Sequence, residues 1–238
     1  MMRLPAVIGL GLLTLGARAE MNPEYFQKLC VAVQMIQGTA PDGRLFIGSG
    51  VLVAPGRAVT NCHVVRESSQ IVFGRGAVGA RGETMAHDSA RDLCVVNVSL
   101  AQGAISPIRG SATLRVGETV YAVGFSGGFR ASISEGHIVA LHPYAGSQVI
   151  QISAPFGRGA SGGGLFDESG HLVGILTFYR PGQDGDLFFA LPVDWIEEVA
   201  RSGFEPLAPL QGGNPFWAAA EDALPAFLKT GTTIPAAR

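Results

Sequence analysis

Charge is scarce in this chain, and what there is nearly cancels. Only 15% of the 238 residues are Asp, Glu, Lys or Arg, and the formal net charge is −2. A protein that neutralises phosphates needs a surplus of Lys and Arg, so nothing here points to a nucleic-acid partner. Cysteine is equally rare, at three residues, and no paired C-x-x-C spacing offers a metal site. No cofactor motif accompanies them. Long apolar runs are missing as well. The run Leu4–Leu15 falls short of the ~20 residues a membrane span takes. It lies between a positive start, Met1–Arg3, and the small-x-small site Ala17-Arg18-Ala19 ahead of Glu20. Residues 1–19 therefore read as a secretory signal peptide, and the mature form is expected to carry no membrane segment. Export would place the cysteines in an oxidising compartment.

What is present describes a packed globular protein. Hydrophobic residues make up 47% of the chain, and there are 33 glycines. That glycine content calls for many tight turns. Strand-like apolar segments recur between turn signals, among them Leu45–Val53, Leu93–Val98, Thr119–Val123, Ser132–Leu141 and Leu172–Phe178. No helical pattern alternates with them, which argues against a parallel α/β sheet and for an all-β sandwich or barrel. A short helix or lead-in is expected over Glu20–Gln27, and another helix over Val193–Arg201, stopped by Gly203. Residues 204–238 form a tail in which Asn214 and Pro215 suggest the start of a short amphipathic helix. Its aromatics fit packing back onto the domain, with docking of another protein as the second possibility.

The stretch "GRGASGGGLF", residues 157–166, places five glycines around Ser161. Glycine is tolerated at such density where φ must be positive or where something approaches the backbone closely. A serine so placed is either a loose turn or a nucleophile beside free N–H donors. A base decides between them. His63 lies in "TNCHVV", after a buried-strand pattern and a Pro-Gly turn. Asp92 opens the apolar run "RDLCVV", where a carboxylate is costly unless paired or hydrogen-bonded. An imidazole N–H is a suitable partner, and its other nitrogen is then free to take a proton from a serine. "GASGG" also fits the nucleophile elbow of α/β-hydrolases. That elbow needs a helix after the serine, and the acid and histidine later still. Turn and strand follow Ser161 instead, and only His171 comes after it. The elbow fails.

"TNCHVV", "RDLCVV" and "GRGASGGGLFDESGHLVGI" together resemble the three catalytic blocks of trypsin-like serine peptidases. They are most similar to the bacterial HtrA/Deg branch and its short relatives without PDZ domains. The resemblance runs from about Cys30 to Val199. It implies an all-β, chymotrypsin-like fold of two six-stranded antiparallel barrels with a short C-terminal helix and tail. Residues 20–110 would form the first barrel and 111–203 the second, with the tail at 204–238. It further implies an exported serine endopeptidase, periplasmic or secreted, acting on proteins or peptides. His63 would be general base then acid, Asp92 would orient it, and Ser161 would attack the scissile carbonyl. The N–H groups of Gly159 and Ser161 would form the oxyanion hole. Ala160 departs from the acidic or amide residue usual there, and Thr177 replaces a serine that supports the aspartate. The alternative is a catalytically inactive relative serving as a protein-binding module.

By the same resemblance, Pro155, Phe156, Thr177, Phe178, Tyr179, Leu187 and Phe188 would line the primary substrate pocket. None is a carboxylate, and Asp184 and Asp186 fall in a Gly-rich turn. If His63 meets Asp92, Cys62 and Cys94 must also lie close, and a disulfide between them is expected, with Cys30 left over. The triad reading has a direct consequence for Asp92→Asn. The variant should fold normally yet lose turnover by roughly 10⁴-fold, because the amide favours the wrong imidazole tautomer. Steady-state kinetics on the purified variant checks it, and near-normal turnover would remove Asp92 from the triad.

Overall fold

The computed structural model describes residues 23–75, 78–99, 101, 103–128, 130–183 and 185–229. Segment 1–19, expected to be a signal peptide, Asp184 and the tail end 230–238 lie outside them. Among the described residues no helix is long and apolar enough to cross a membrane.

Strands dominate, in two sheets. The first contains β1 (Val33–Thr39), β2 (Leu45–Ala54), β3 (Arg57–Thr60), β4 (Gln70–Arg75), β5 (Val78–Arg81), β6 (Thr84–Asp88) and β7 (Leu93–Asn97). The second contains β8 (Thr119–Gly124), β9 (Ser132–Tyr144), β10 (Ser147–Ile152), β11 (Gly164–Asp167), β12 (Leu172–Gly182) and β13 (Gly185–Pro192). Alternation sets the inward faces. Along β9, Gly136, Ile138, Ala140 and His142 are buried while Glu135, His137, Val139 and Pro143 are exposed. In β12, Leu172–Phe178 is buried on both faces, as befits a strand with barrel core on one side and residues such as Trp217 on the other.

Only the second sheet closes. Its strands run in the order β10-β13-β12-β11-β8-β9 round a barrel, whereas the first is an open, curled sheet of eight strands. The expectation of two closed six-stranded barrels is thus corrected. The reason lies at the edges. β5 and β6 are joined by Gly82 and Glu83, whose N–H groups donate to Ile71 and Asn97 at 2.8 and 3.0 Å. These two bonds turn the corner without a β5–β6 ladder. The outer edge of β6 pairs instead with β14, Glu205–Pro206, through the register Glu205↔Met85.

The single short C-terminal helix implied by the resemblance is corrected too. Three α-helices occur: α1 (Pro23–Ala32), α2 (Cys62–Val65) and α3 (Asp194–Arg201). α1 carries Leu29, Cys30 and Ala32 into the core and leads directly into β1. α3 buries Trp195, Ile196 and Val199 on one face.

Past α3 the chain lies as a strap across both halves. Leu210 N–H donates to Arg66 O at 2.6 Å, and Phe216 N–H to Ala90 O at 2.9 Å. Phe216 packs on Tyr144 with ring centroids 4.5 Å apart, and Phe227 stacks on His142 at 4.5 Å. No amphipathic helix starts at Asn214. Phe216–Ala218 and Ala226–Leu228 are single 3₁₀ turns without side-chain caps. A lone helix of that length is marginal in water, and here the aromatic anchors seat in separate places, which favours short turns.

His142 generates a pH prediction. Burial pushes its pKa below the ordinary histidine value, against a smaller raising effect of the Gln151 hydrogen bond. The folded state therefore favours neutral imidazole. Its contribution to stability is complete above the ordinary histidine range and is lost as pH falls through the depressed folded value. Melting temperature should drop more steeply on acidification in the wild type than in His142→Phe. Parallel profiles would show that His142 is not the group responsible.

Candidate active site

Asp92 sits just before β7 with φ of +61°, a left-handed conformation that a short polar side chain tolerates better than most. The turn aims its carboxylate back towards α2. That carboxylate is almost fully buried, at 1% exposure, and it is well supplied with donors. Oδ1 accepts the His63 backbone N–H at 2.8 Å. Oδ2 accepts His63 Nδ1–H at 2.6 Å and Trp217 Nε1–H at 3.1 Å. An ionised carboxylate can only accept, so the short contact places the ring proton on Nδ1 and leaves Nε2 as an acceptor. The segments around the pair are locked together. Asn61 Nδ2 donates to Asp92 O at 3.1 Å, Cys62 N–H donates to the same carbonyl at 3.2 Å, and a disulfide joins Cys62 to Cys94. Cys30 is buried and takes no part in this disulfide.

Ser161 stands on the loop between β10 and β11. Its Oγ donates to Thr177 O at 3.1 Å, and among the described residues no hydrogen bond joins it to His63. The loop backbone is closely fixed. Gly159 has φ of +94°, and a Cβ there would come within 2.5 Å of Phe125 O. Gly162 has φ of +85°, and a Cβ there would run into Ser49 O and the Thr60 hydroxyl. Only glycine fits either position. Among the described residues neither the Gly159 N–H nor the Ser161 N–H has a protein acceptor. The Gly159 carbonyl is turned the other way, accepting Ser49 Oγ–H at 2.7 Å.

Ser49, on β2, is the hub of this arrangement and was not singled out by sequence reasoning. Its N–H donates to Ser161 O at 2.9 Å, and its Oγ accepts Phe125 N–H at 2.8 Å. Its carbonyl accepts the Thr60 hydroxyl at 2.8 Å. It is fully buried. The signal available was its place between two glycines in "GSG" inside an apolar strand, which resembles turn material.

The expected pocket residues are distributed unevenly. Phe156 and Phe188 face each other with centroids 5.3 Å apart, and Tyr179 lies 5.9 Å from Phe188. Leu187 is partly buried against the core, and Pro155 is exposed. Phe178 is buried and sandwiched between Phe189 and Trp217. Thr177 is also buried, its hydroxyl donating to Ile175 O and accepting from Asn61 Nδ2, so it does not support the aspartate. Asp186 is exposed at the β12–β13 turn.

Residues 48–175, just over half of the chain, match the family model described as a trypsin-like peptidase domain. The chain belongs to the trypsin-like peptidase family. It is 32% identical over 166 residues to a probable periplasmic serine endoprotease DegP-like of Pseudomonas savastanoi pv. phaseolicola, covering 65% of this chain and 34% of that one. It is 26% identical over 163 residues to the anti-sigma-I factor RsgI9 of Acetivibrio thermocellus, covering 66% of this chain and 23% of that one. The chain thus spans about a third of the length of the first of these curated relatives and under a quarter of the second. Among solved structures it is similar to the HtrA-type protease AlgW with tripeptide, with a TM-score of 0.67 and 26% identity, over 75% of this chain and 62% of that one.

The Ser49 hub yields a test. Ser49→Ala removes the bond that holds the Gly159 carbonyl away from the cleft and leaves Phe125 N–H unpaired. Turnover should fall by about 100-fold through misplacement of the Ser161 loop, with a smaller change in KM. Kinetics on the folded variant checks this, and unchanged turnover would show that the loop holds itself.

Proposed function

We propose that this chain is an exported serine endopeptidase that cleaves peptide bonds through an acyl-enzyme on Ser161. One observation carries the reading. A buried carboxylate holds His63 by Nδ1, while the N–H groups of Gly159 and Ser161 have no acceptor among the described residues. His63 Nε2 takes the proton from Ser161 Oγ after the hydroxyl leaves the Thr177 carbonyl. The oxygen bonds to the substrate carbonyl carbon, and the carbonyl electron pair moves onto its oxygen. Gly159 and Ser161 N–H donate to that oxyanion, stabilising charge that exists only on the way to the transition state. The imidazolium returns the proton to the leaving amine as the C–N bond breaks. Water then releases the acyl group by the same steps, with His63 again the base.

Location and substrate follow the same reading. The leader-like residues 1–19 and the Cys62–Cys94 disulfide suit an oxidising compartment, periplasmic or extracellular. The relatives named as a periplasmic endoprotease and as a protease with a tripeptide support protein or peptide substrates. The primary pocket is apolar and shallow. The Phe156 and Phe188 rings occupy the space a long side chain would enter, and no acid among the described residues joins them. Burying an unpaired Lys or Arg there would cost several kcal/mol.

Two measurements test this. A fluorophosphonate probe should label the folded protein on Ser161 and fail to label Ser161→Ala. Absence of label in folded wild type would leave an inactive, protein-binding relative of the family. Peptide-library cleavage should favour Val, Ala or Leu before the scissile bond. Efficient cleavage after Arg or Lys would overturn the pocket assignment and implicate Asp186.

A further inference from the structure

The C-terminal strap reaches the active site at one residue. Trp217 donates its indole N–H to Asp92 Oδ2, the oxygen that also receives His63 Nδ1–H. Its ring stacks on Phe178 at 5.1 Å and 11°, and meets the His63 ring edge to face at 5.6 Å and 80°. It therefore touches both members of the pair and the aromatic beside them. We propose that Trp217 is a positioning residue for the His63–Asp92 pair, which makes the strap a part of the active site. The proposal rests on the peptidase reading of Ser161.

The buried carboxylate explains the need. Apart from His63, Trp217 is the one side-chain donor to the Asp92 carboxylate among the described residues. The Thr177 hydroxyl is committed to Ile175 O and Asn61 Nδ2. A carboxylate held by His63 alone could swing about its Cα–Cβ and Cβ–Cγ bonds as the imidazole gains and loses its proton. A second donor on Oδ2, fixed by stacking on Phe178, limits that swing. The stack also backs the imidazole ring, so one side chain restrains both partners.

The strap is anchored well enough to supply that restraint. Immediately before Trp217, Phe216 is buried against Tyr144 and its N–H is bonded to Ala90 O, two residues from Asp92. Before that, Arg66 Nη2 donates to Gly213 O at 3.0 Å, tying the strap to the end of α2. Beyond it, Leu224 and Leu228 are buried and Phe227 stacks on His142. Trp217 is thus held from both sides, by the open sheet and by the closed barrel.

The full-length chain carrying Trp217→Phe tests this, since phenylalanine keeps an aromatic ring but has no N–H. Its kcat on a peptide substrate should fall roughly tenfold, the worth of one hydrogen bond to a charged group, with KM little changed. In proton NMR, the low-field signal of the His63 Nδ1–H bridge should move in this variant while its melting temperature stays close to wild type. A purely structural role would leave that signal in place. In the wild type, the Trp217 indole N–H should exchange slowly with solvent. Unchanged kcat with an unmoved His63 signal, or rapid exchange of the indole N–H, would overturn the proposal. Failure of the peptidase reading looks different: wild type would neither label on Ser161 nor cleave, while the NMR signal would still report on Trp217.

Discussion

The Asp92 carboxylate is the constraint around which the rest of the molecule is arranged. Burying a charge is expensive unless every lone pair that faces the interior finds a donor. Here the donors come from chain segments far apart in sequence, the His63 backbone and ring from α2 and the indole of Trp217 from the strap. Satisfying one group therefore brings together the open sheet, α2 and the strap. The disulfide between Cys62 and Cys94, beside the histidine and the aspartate, ties the same segments covalently. It closes a loop of about thirty residues, which limits the unfolded chain and favours the arrangement in which the pair can meet.

Ser161 depends on a different kind of fixation. Its loop is held by backbone geometry that only glycine permits at 159 and 162, and by Ser49 reaching across from β2. Ser49 belongs to the open sheet, whereas Phe125 and Ser161 follow strands of the closed barrel. The hydroxyl thus couples the two halves at the proposed oxyanion site. Preorganised N–H donors stabilise such charge without reorganising during the reaction. The Ser161 hydroxyl itself rests on Thr177 O.

Much of this site was legible in the sequence because each block pairs an unusual residue with a physical reason for it. An acid at the head of "RDLCVV" needs a donor, and five glycines around Ser161 need a close approach. The ordered spacing of His63, Asp92 and Ser161 then matched a known family. Other features could not be read in this way. Closure of the first sheet depends on which edge pairs, and the edge of β6 is taken by two residues of the tail, Glu205 and Pro206. Strand periodicity carries no information about such a partner. Trp217 is 125 positions from Asp92 and sits in a Pro- and Ala-rich segment with no spacing that points to a carboxylate. The tail resembled a short helix because Asn214 and Pro215 suit a helix start. Local propensity gave way to the separate burial sites of Phe216 and Phe227.

The central claim is that one cleft unites an Asp92-held imidazole, a nucleophilic Ser161 and two backbone donors. A crystal structure of the full chain with a peptide boronate ending in valine tests it most directly. The account predicts a covalent bond from Ser161 Oγ to boron, one boronate oxygen within hydrogen-bond distance of both Gly159 and Ser161 N–H, and His63 still joined to Asp92. Boron bound elsewhere, or a Ser161 adduct whose oxygen meets neither N–H, would contradict it.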